Sequence, residues 1–485
     1  MGSLPDGAVI LSPLDQLADR MYMTFFLVFK TPDPELALKS LQTGLERLNR
    51  RLNHLRGHVV LGPRGRLVLR VEPPDTAVKL EELSPARAKV LSNVTFAQLE
   101  AENAPLRRFP PSLCPQPLFV PIGPDTEVPA LALNYACMDG GLVVGVSPQH
   151  NVFDGAGAAE LVRLWAHFTR TESDDVDEFS TPGSSEHAAR DVLLRANQSH
   201  ESKTRAAKGQ EAYFQELLAK HPEYALRSGK GIAAKSSGVV GGTSKIFRFD
   251  VNKLQSVKHG LEMHDPPPNM SMRLTTNSIL SAILWSCITR VRAARRGPDF
   301  PVESKLGFAV DVRRHVGLSQ QTKPYLGNAV CLGRAAAAAD DLVKAAPSSN
   351  GLGALVAVVE AVADAVMRVT PEGVEEVMDM AEGAPDVGGF VPGWDGFNGP
   401  DLAMTSWANL KLYEADFGEA VGKPRFVRVP EGRSDGVVVV LPRKEEERIE
   451  GGAGGSIEVA VILNAEDLAA LEKDEAWTSC LASEA

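Results

Sequence analysis

At 485 residues, 44% of them hydrophobic and 23% charged, the chain exceeds what one core organises, so two large domains are expected. A formal net charge of −11, with no stripe of basic and aromatic residues, argues against a nucleic-acid binder and leaves room only for a local basic pocket. The five cysteines, Cys114, Cys137, Cys287, Cys331 and Cys480, are scattered without a Cys-x-x-Cys pair, which reads as reduced thiols in a cytoplasmic protein rather than a disulfide framework.

Near the start stands Leu11-Ser-Pro-Leu-Asp15, with no basic and apolar leader before it. Met21–Phe29 is almost continuously apolar and reads as a buried strand. Pro34–Leu48 reads as a helix that opens on proline and carries Leu38, Leu41, Leu45 and Leu48 on one face. Leu131–Met138 and Leu142–Val146 flank Asp139-Gly140-Gly141, a hairpin signal. A helix follows, with Ala159, Val162, Trp165 and Phe168 at helical spacing. The acidic stretch 172–182 reads as the end of a first domain, 1–185, and 186–244 as a crossover whose Gly/Ser/Lys-rich part spans Ser228–Ser244. A second domain, 245–485, begins with a strand around Ile246–Phe249 and continues with a helix capped by Thr275 or Thr276 that buries Ile279, Ile283 and Ile288. The alanine-rich Ala335–Ala346 reads as helix, Gly383–Pro400 as a loop and Val437–Leu441 as a buried strand. No apolar run is long enough to cross a bilayer, so no membrane partner is expected.

Between the hairpin and its helix lies Gln149-His-Asn-Val-Phe-Asp-Gly155, where His150 is followed four positions on by Asp154 and then glycine. A histidine titrates near neutrality and can take a proton from a hydroxyl or an amine, and a loop between rigid elements is where such a group works. Gly155 and Gly157 ease close approach at the helix start. The bland alternative is a core histidine beside an Asp-Gly turn, and with ten histidines in the chain a second element is needed.

That element is Thr405-Ser-Trp407, leading through Asp416-Phe-Gly418 to Gly422-Lys-Pro424. Together the two segments resemble the BAHD acyltransferases, most nearly the fungal branch typified by trichothecene 3-O-acetyltransferases. Leu11–Asp15, the helix opening Thr275-Thr-Asn277, Val310-Asp-Val-Arg-Arg314 and Tyr325-Leu-Gly-Asn328 resemble that branch too, in the same order along nearly the whole chain. Glu419-Ala420 stand where plant members carry Trp-Gly, with the glycine displaced to Gly422. Asn151, where condensation domains carry a second histidine, separates the chain from enzymes fed by carrier proteins.

The resemblance implies an α/β fold of two similarly built halves, mixed sheets flanked by helices, with a tunnel between them. It implies a monomer with no permanent cofactor that takes acyl-CoA, most simply acetyl-CoA, as co-substrate and a hydroxylated fungal metabolite as acceptor. His150 would be the general base, with no covalent acyl-enzyme. Asp154 would support the loop, paired with Arg313 or Arg314. Asp416 and Gly418 would shape a distant loop. Thr405, Ser406 and Trp407 are candidate donors to the oxyanion, or else a buried strand with an aromatic anchor. Thr276, Asn277, Arg313 and the lysines between Lys235 and Lys245 are candidates for the coenzyme phosphates, though solvated loops look the same. No two histidines fall at ligand spacing on a helix, so no metal is expected. Two other readings stand beside this one: transfer from a carrier-protein thioester, and a non-catalytic member of the fold that binds a small molecule. N-acylation stays open, because the same base serves an amine.

Overall fold

All eight residues of Gly141–Pro148 are buried, the signature of a strand covered on both faces. The computed structural model describes residues 8–123, 125–171, 193, 209–227, 242–264, 274–318, 324–396, 399–432, 434–444 and 455–483. The 172–182 stretch, most of the 186–244 crossover and Lys235 lie outside the described residues.

Four strands of the first half, β1 (Phe25–Lys30), β2 (Leu80–Glu82), β3 (Leu131–Met138) and β4 (Gly141–Pro148), form one sheet in the order β1-β4-β3-β2. The β3–β4 turn is Asp139-Gly140, with Gly140 at φ +74°, a conformation that favours glycine. Helices α1 (Pro13–Leu17), α2 (Pro34–Arg51) and α3 (Gly155–Arg170) accompany this half. Leu41, Leu45 and Leu48 of α2 and Val162, Trp165 and Phe168 of α3 share a core with Leu27, Phe29 and Val144 of the sheet. The two helices cross so closely that a Cβ on Gly44 would lie 2.1 Å from Thr169 Oγ1. A separate antiparallel sheet joins Ala8–Ile10, Leu67–Val71, Gly57–Leu61 and Val128–Pro129 in that order.

The second half holds β5 (Gly242–Asp250), β6 (Glu303–Asp311), β7 (Val330–Ala338), β8 (Leu402–Ser406), β9 (Phe426–Arg428), β10 (Val437–Val440) and β11 (Ser456–Asn464). Six of them form a mixed sheet in the order β5-β11-β10-β8-β6-β7. Helix α4 (Thr276–Arg296) is buried along most of its length against one face of it, together with α5 (Leu352–Met367). Thr275, not Thr276, is the N-cap of α4, in a capping box with Ser278. Strand β9 leaves its half and pairs antiparallel with β1, completing the first sheet as β9-β1-β4-β3-β2.

Two expectations are corrected. Ala335–Ala338 is strand, and only Ala339–Lys344 is helix. Pairing of β7 with β6 in register, Leu306 opposite Ala335, and burial of Ala335 beside Leu355 and Val359 override alanine's helix preference. The Gly383–Pro400 loop contains a short strand, Phe390–Pro392, paired with Tyr224–Leu226.

Candidate active site

His150 follows the end of β4, in a loop whose shape is dictated by buried polar contacts. Gln149 and Asn151 are buried and bond each other, the Asn151 N–H donating to Gln149 Oε1 at 2.6 Å. Asn151 Nδ2 donates to Asp15 O and Ala18 O, both at 2.8 Å, and the His150 N–H donates to Met21 O at 2.8 Å. Val152 and Phe153 insert into the core. His150 is half-buried, and its ring Nδ1 is buried without a hydrogen-bond partner among the described residues.

Asp154 is the N-cap of α3 and is 1% exposed. Oδ1 accepts from the Gly157 N–H and from Arg313 Nη2, each at 2.8 Å, and Oδ2 accepts from the Ala329 N–H at 2.9 Å. With three donors converging on it, the carboxylate is committed to holding the loop and the helix start. Of the two arginines considered, Arg313 makes the pair, while Arg314 is exposed. Arg313 also donates to the carbonyls of Tyr325 and Gly327 and pairs with Asp311 at 3.3 Å, so it is a clamp rather than a free cation for a phosphate. Burial opposes its charge, but the Asp154 and Asp311 carboxylates outweigh that and hold it protonated.

Gly157 is where close approach is needed. A Cβ there would lie 1.9 Å from Leu326 O. At Gly155 the nearest atom to such a Cβ would be 3.4 Å away, so that glycine is not required by contact.

Sequence reasoning gave no role to Asp15 or Asn328, and both belong to the site. Asp15 is wholly buried, and its Oδ1 accepts from the Asn328 N–H and Nδ2, each at 2.9 Å. Asn328 Nδ2 also donates to His150 O at 2.8 Å. Four sequence landmarks, Leu11–Asp15, His150–Gly155, Val310–Arg314 and Tyr325–Asn328, thus meet in one hydrogen-bonded knot. The only signal for these two residues was their place inside landmarks of the resemblance.

Thr405 and Ser406 end β8, and Trp407 continues it, donating its N–H to Val440 O at 2.8 Å. Strand alternation puts Thr405 and Trp407 on one face and exposed Ser406 on the other. The Trp407 ring packs edge-on to Phe25, 6.0 Å between centroids, and a Cβ at Gly155 would sit 3.6 Å from its Nε1. Trp407 is therefore an aromatic anchor that also brings an indole N–H to the start of α3. Asp416 and Gly418 are elsewhere. Asp416 accepts from the Gly418 N–H at 3.0 Å and lies 3.6 Å from Arg170 at the far end of α3. A helix of 16 residues rising about 1.5 Å each separates them from Asp154 by roughly 24 Å. Gly418 at φ +89° turns the chain while Phe417 packs on Phe29 and Trp165. Thr276 and Asn277 occupy the first turn of α4 and make no hydrogen bond to the His150 loop among the described residues. No cluster of three His, Cys, Asp or Glu able to hold a metal occurs among the described residues.

The transferase family profile matches residues 118–477, and that of the trichothecene 3-O-acetyltransferase-like N-terminal domain matches residues 21–168. The chain belongs to the BAHD-type transferase family. It is 30% identical to trichothecene 8-O-acetyltransferase of Fusarium sporotrichioides, over 97% of each chain. It is 25% identical to trichothecene 3-O-acetyltransferase of the same fungus, over 94% of this chain and 93% of the relative. TRI101 of Fusarium graminearum, solved with coenzyme A and deoxynivalenol, superposes with a TM-score of 0.74 over 98% of both chains at 19% identity, a likeness of fold. Membership makes this chain an acyltransferase of the fungal, trichothecene acetyltransferase-like branch.

Proposed function

We propose that the protein is an acyl-CoA-dependent O-acyltransferase, acting with acetyl-CoA on a hydroxylated fungal metabolite, with His150 as its general base. The observation that carries this reading is the His150 loop. It presents a half-buried histidine whose backbone N–H donates to Met21 O and whose carbonyl accepts from Asn328 Nδ2, while Asp154 is turned into the scaffold. His150 takes the proton of the acceptor hydroxyl as the oxygen attacks the thioester carbonyl. The tetrahedral intermediate collapses by breaking the C–S bond, and the proton passes to the departing coenzyme A thiolate. Thr405 and Trp407, on the same strand face, are the candidate donors to the oxyanion.

Direct transfer is supported by the cysteines. Burial pushes the thiols of Cys114 and Cys331 up to about 12 and raises those of Cys137, Cys287 and Cys480 as well, so none is a ready thiolate for an acyl-enzyme. Five free thiols suit a reducing compartment, which supports a cytoplasmic protein. The same reading takes the chain as a monomer of two halves, 1–185 and 245–485, joined by 186–244, with the coenzyme and the acceptor reaching His150 between them. The lodging of Asn328 and Arg313 against the His150 loop supports that division.

The test is free-thiol release from acetyl-CoA with a panel of hydroxylated terpenoids, alkaloids and polyketides, combined with the intact mass of protein quenched during turnover. Acceptor-dependent release with no acetylated protein is expected. Release only from a carrier-protein thioester, or an acetylated protein that passes its acyl group to the acceptor, would contradict the proposal.

A further inference from the structure

Two routes of hydrogen bonds lead from Asp15 to the backbone around His150. Its main-chain oxygen accepts from Asn151 Nδ2 at 2.8 Å. Its carboxylate Oδ1 accepts from Asn328 Nδ2 at 2.9 Å, and the same Nδ2 donates to His150 O at 2.8 Å. Asp15 comes from α1, His150 and Asn151 follow β4, and Asn328 precedes β7, so three separate segments meet at one histidine.

Packing alone does not account for either residue. Both are buried, and a buried carboxylate is costly unless its oxygens are well bonded. Oδ2 of Asp15 accepts from the Ser12 N–H at 2.8 Å, while Oδ1 accepts from the Asn328 N–H and from its Nδ2, each at 2.9 Å. An asparagine at this position would set an NH₂ group against one of those backbone donors, so both carboxylate oxygens are needed. Asn328 is fixed as narrowly. Reversing its amide would set oxygen against Asp15 Oδ1 and His150 O. In the orientation it takes, its own Oδ1 is buried without a partner among the described residues. A buried acceptor left without a donor is a cost that calls for another explanation than stability. What the arrangement secures is an amide aimed at two fixed points, the Asp15 carboxylate and the carbonyl of the base.

We propose that Asp15 and Asn328 are positioning residues for the transfer step: Asp15 holds the Asn328 amide, and Asn328 holds the His150 carbonyl and so the place from which the imidazole takes the acceptor's proton. This rests on the reading of His150 as the base. Neither residue exchanges a proton, since the hydroxyl proton goes to His150 and then to the leaving sulfur. The ring hangs from a backbone whose N–H is held by Met21 O and whose carbonyl is held by Asn328. Releasing the second hold lets the ring drift, and a misplacement of about 1 Å can cost about a hundredfold in rate.

The test compares Asp15→Asn, Asn328→Ala, the milder Asn328→Ser and the double variant Asp15→Asn/Asn328→Ala with a control that also loses buried amide bonds, Asn49→Ala. Asn49 is buried in α2, where its Nδ2 donates to Leu45 O and Val78 O at 2.9 Å. Kinetics are read at a temperature where circular dichroism shows the variants folded. In the Asn328 variants kcat should fall about tenfold to a hundredfold with KM for acetyl-CoA unchanged. The Cε1–H NMR signal of His150, assigned from its absence in His150→Gln, should move in them and stay in place in Asn49→Ala, which keeps its kcat. Because Asp15 acts through Asn328, the double variant should be no slower than Asn328→Ala alone. Losses that multiply in the double variant, or single variants no slower than Asn49→Ala beside an inactive His150→Ala, would overturn this inference and leave the general base standing. An active His150→Ala would remove both.

Discussion

Both oxygens of Asp154 are occupied by donors from three separate segments, so its removal injures the scaffold before the chemistry. Asp154→Asn keeps one acceptor, sets an N–H₂ group against a donor and leaves Arg313 only the exposed Asp311 as a carboxylate partner. A loss of about 3–5 kcal/mol is expected in urea unfolding, as for breaking a buried ion pair. Turnover should fall with it. Much of this was legible from the sequence: the spacing of His150, Asp154 and Gly155, and a segment offering two arginines of which one makes the pair. Asp15 and Asn328 were legible only as landmarks, since their bond joins residues 313 positions apart and no local pattern encodes it.

At the scale of elements, the start of α3 offers a paired test. Gly157→Ala drives a methyl into the Leu326 carbonyl, which cannot yield without moving the segment that carries Asn328. A cost of about 1–3 kcal/mol or more is expected. Gly155→Ala meets only ordinary contact, and alanine's better helix propensity should leave stability unchanged or raised by up to about 1 kcal/mol. Thermal midpoints of the two variants separate the readings, and equal losses would contradict this account. Most elements were legible because apolar periodicity reports burial: the strand β4, the hairpin before the loop and the apolar face of α2 follow from it. Ala335–Ala338 was not. A run of alanines carries no periodicity, and its state is set by the neighbour β6 rather than by its own preference.

At the scale of the molecule, β9 crosses from one half to the other, and its Arg428 is wholly buried. Arg428 donates to the carbonyls of Asn103 and Ala104 in the first half and to Glu458 of β11 at 2.9 Å in the second. Arg428→Met should cost about 3–5 kcal/mol, because it strands a carboxylate and two carbonyls, and the halves should then unfold in separate steps. A single unaltered transition would contradict that. A three-residue strand that pairs with β1 from so far along the chain is too short to announce itself. The fold matters to function because it brings segments from both halves against His150. Acceptor-dependent thiol release from acetyl-CoA, compared between wild type and His150→Ala, tests this claim most directly. The account predicts a loss of about two to four orders of magnitude in kcat with coenzyme A still bound. A variant that releases thiol at the wild-type rate would contradict it.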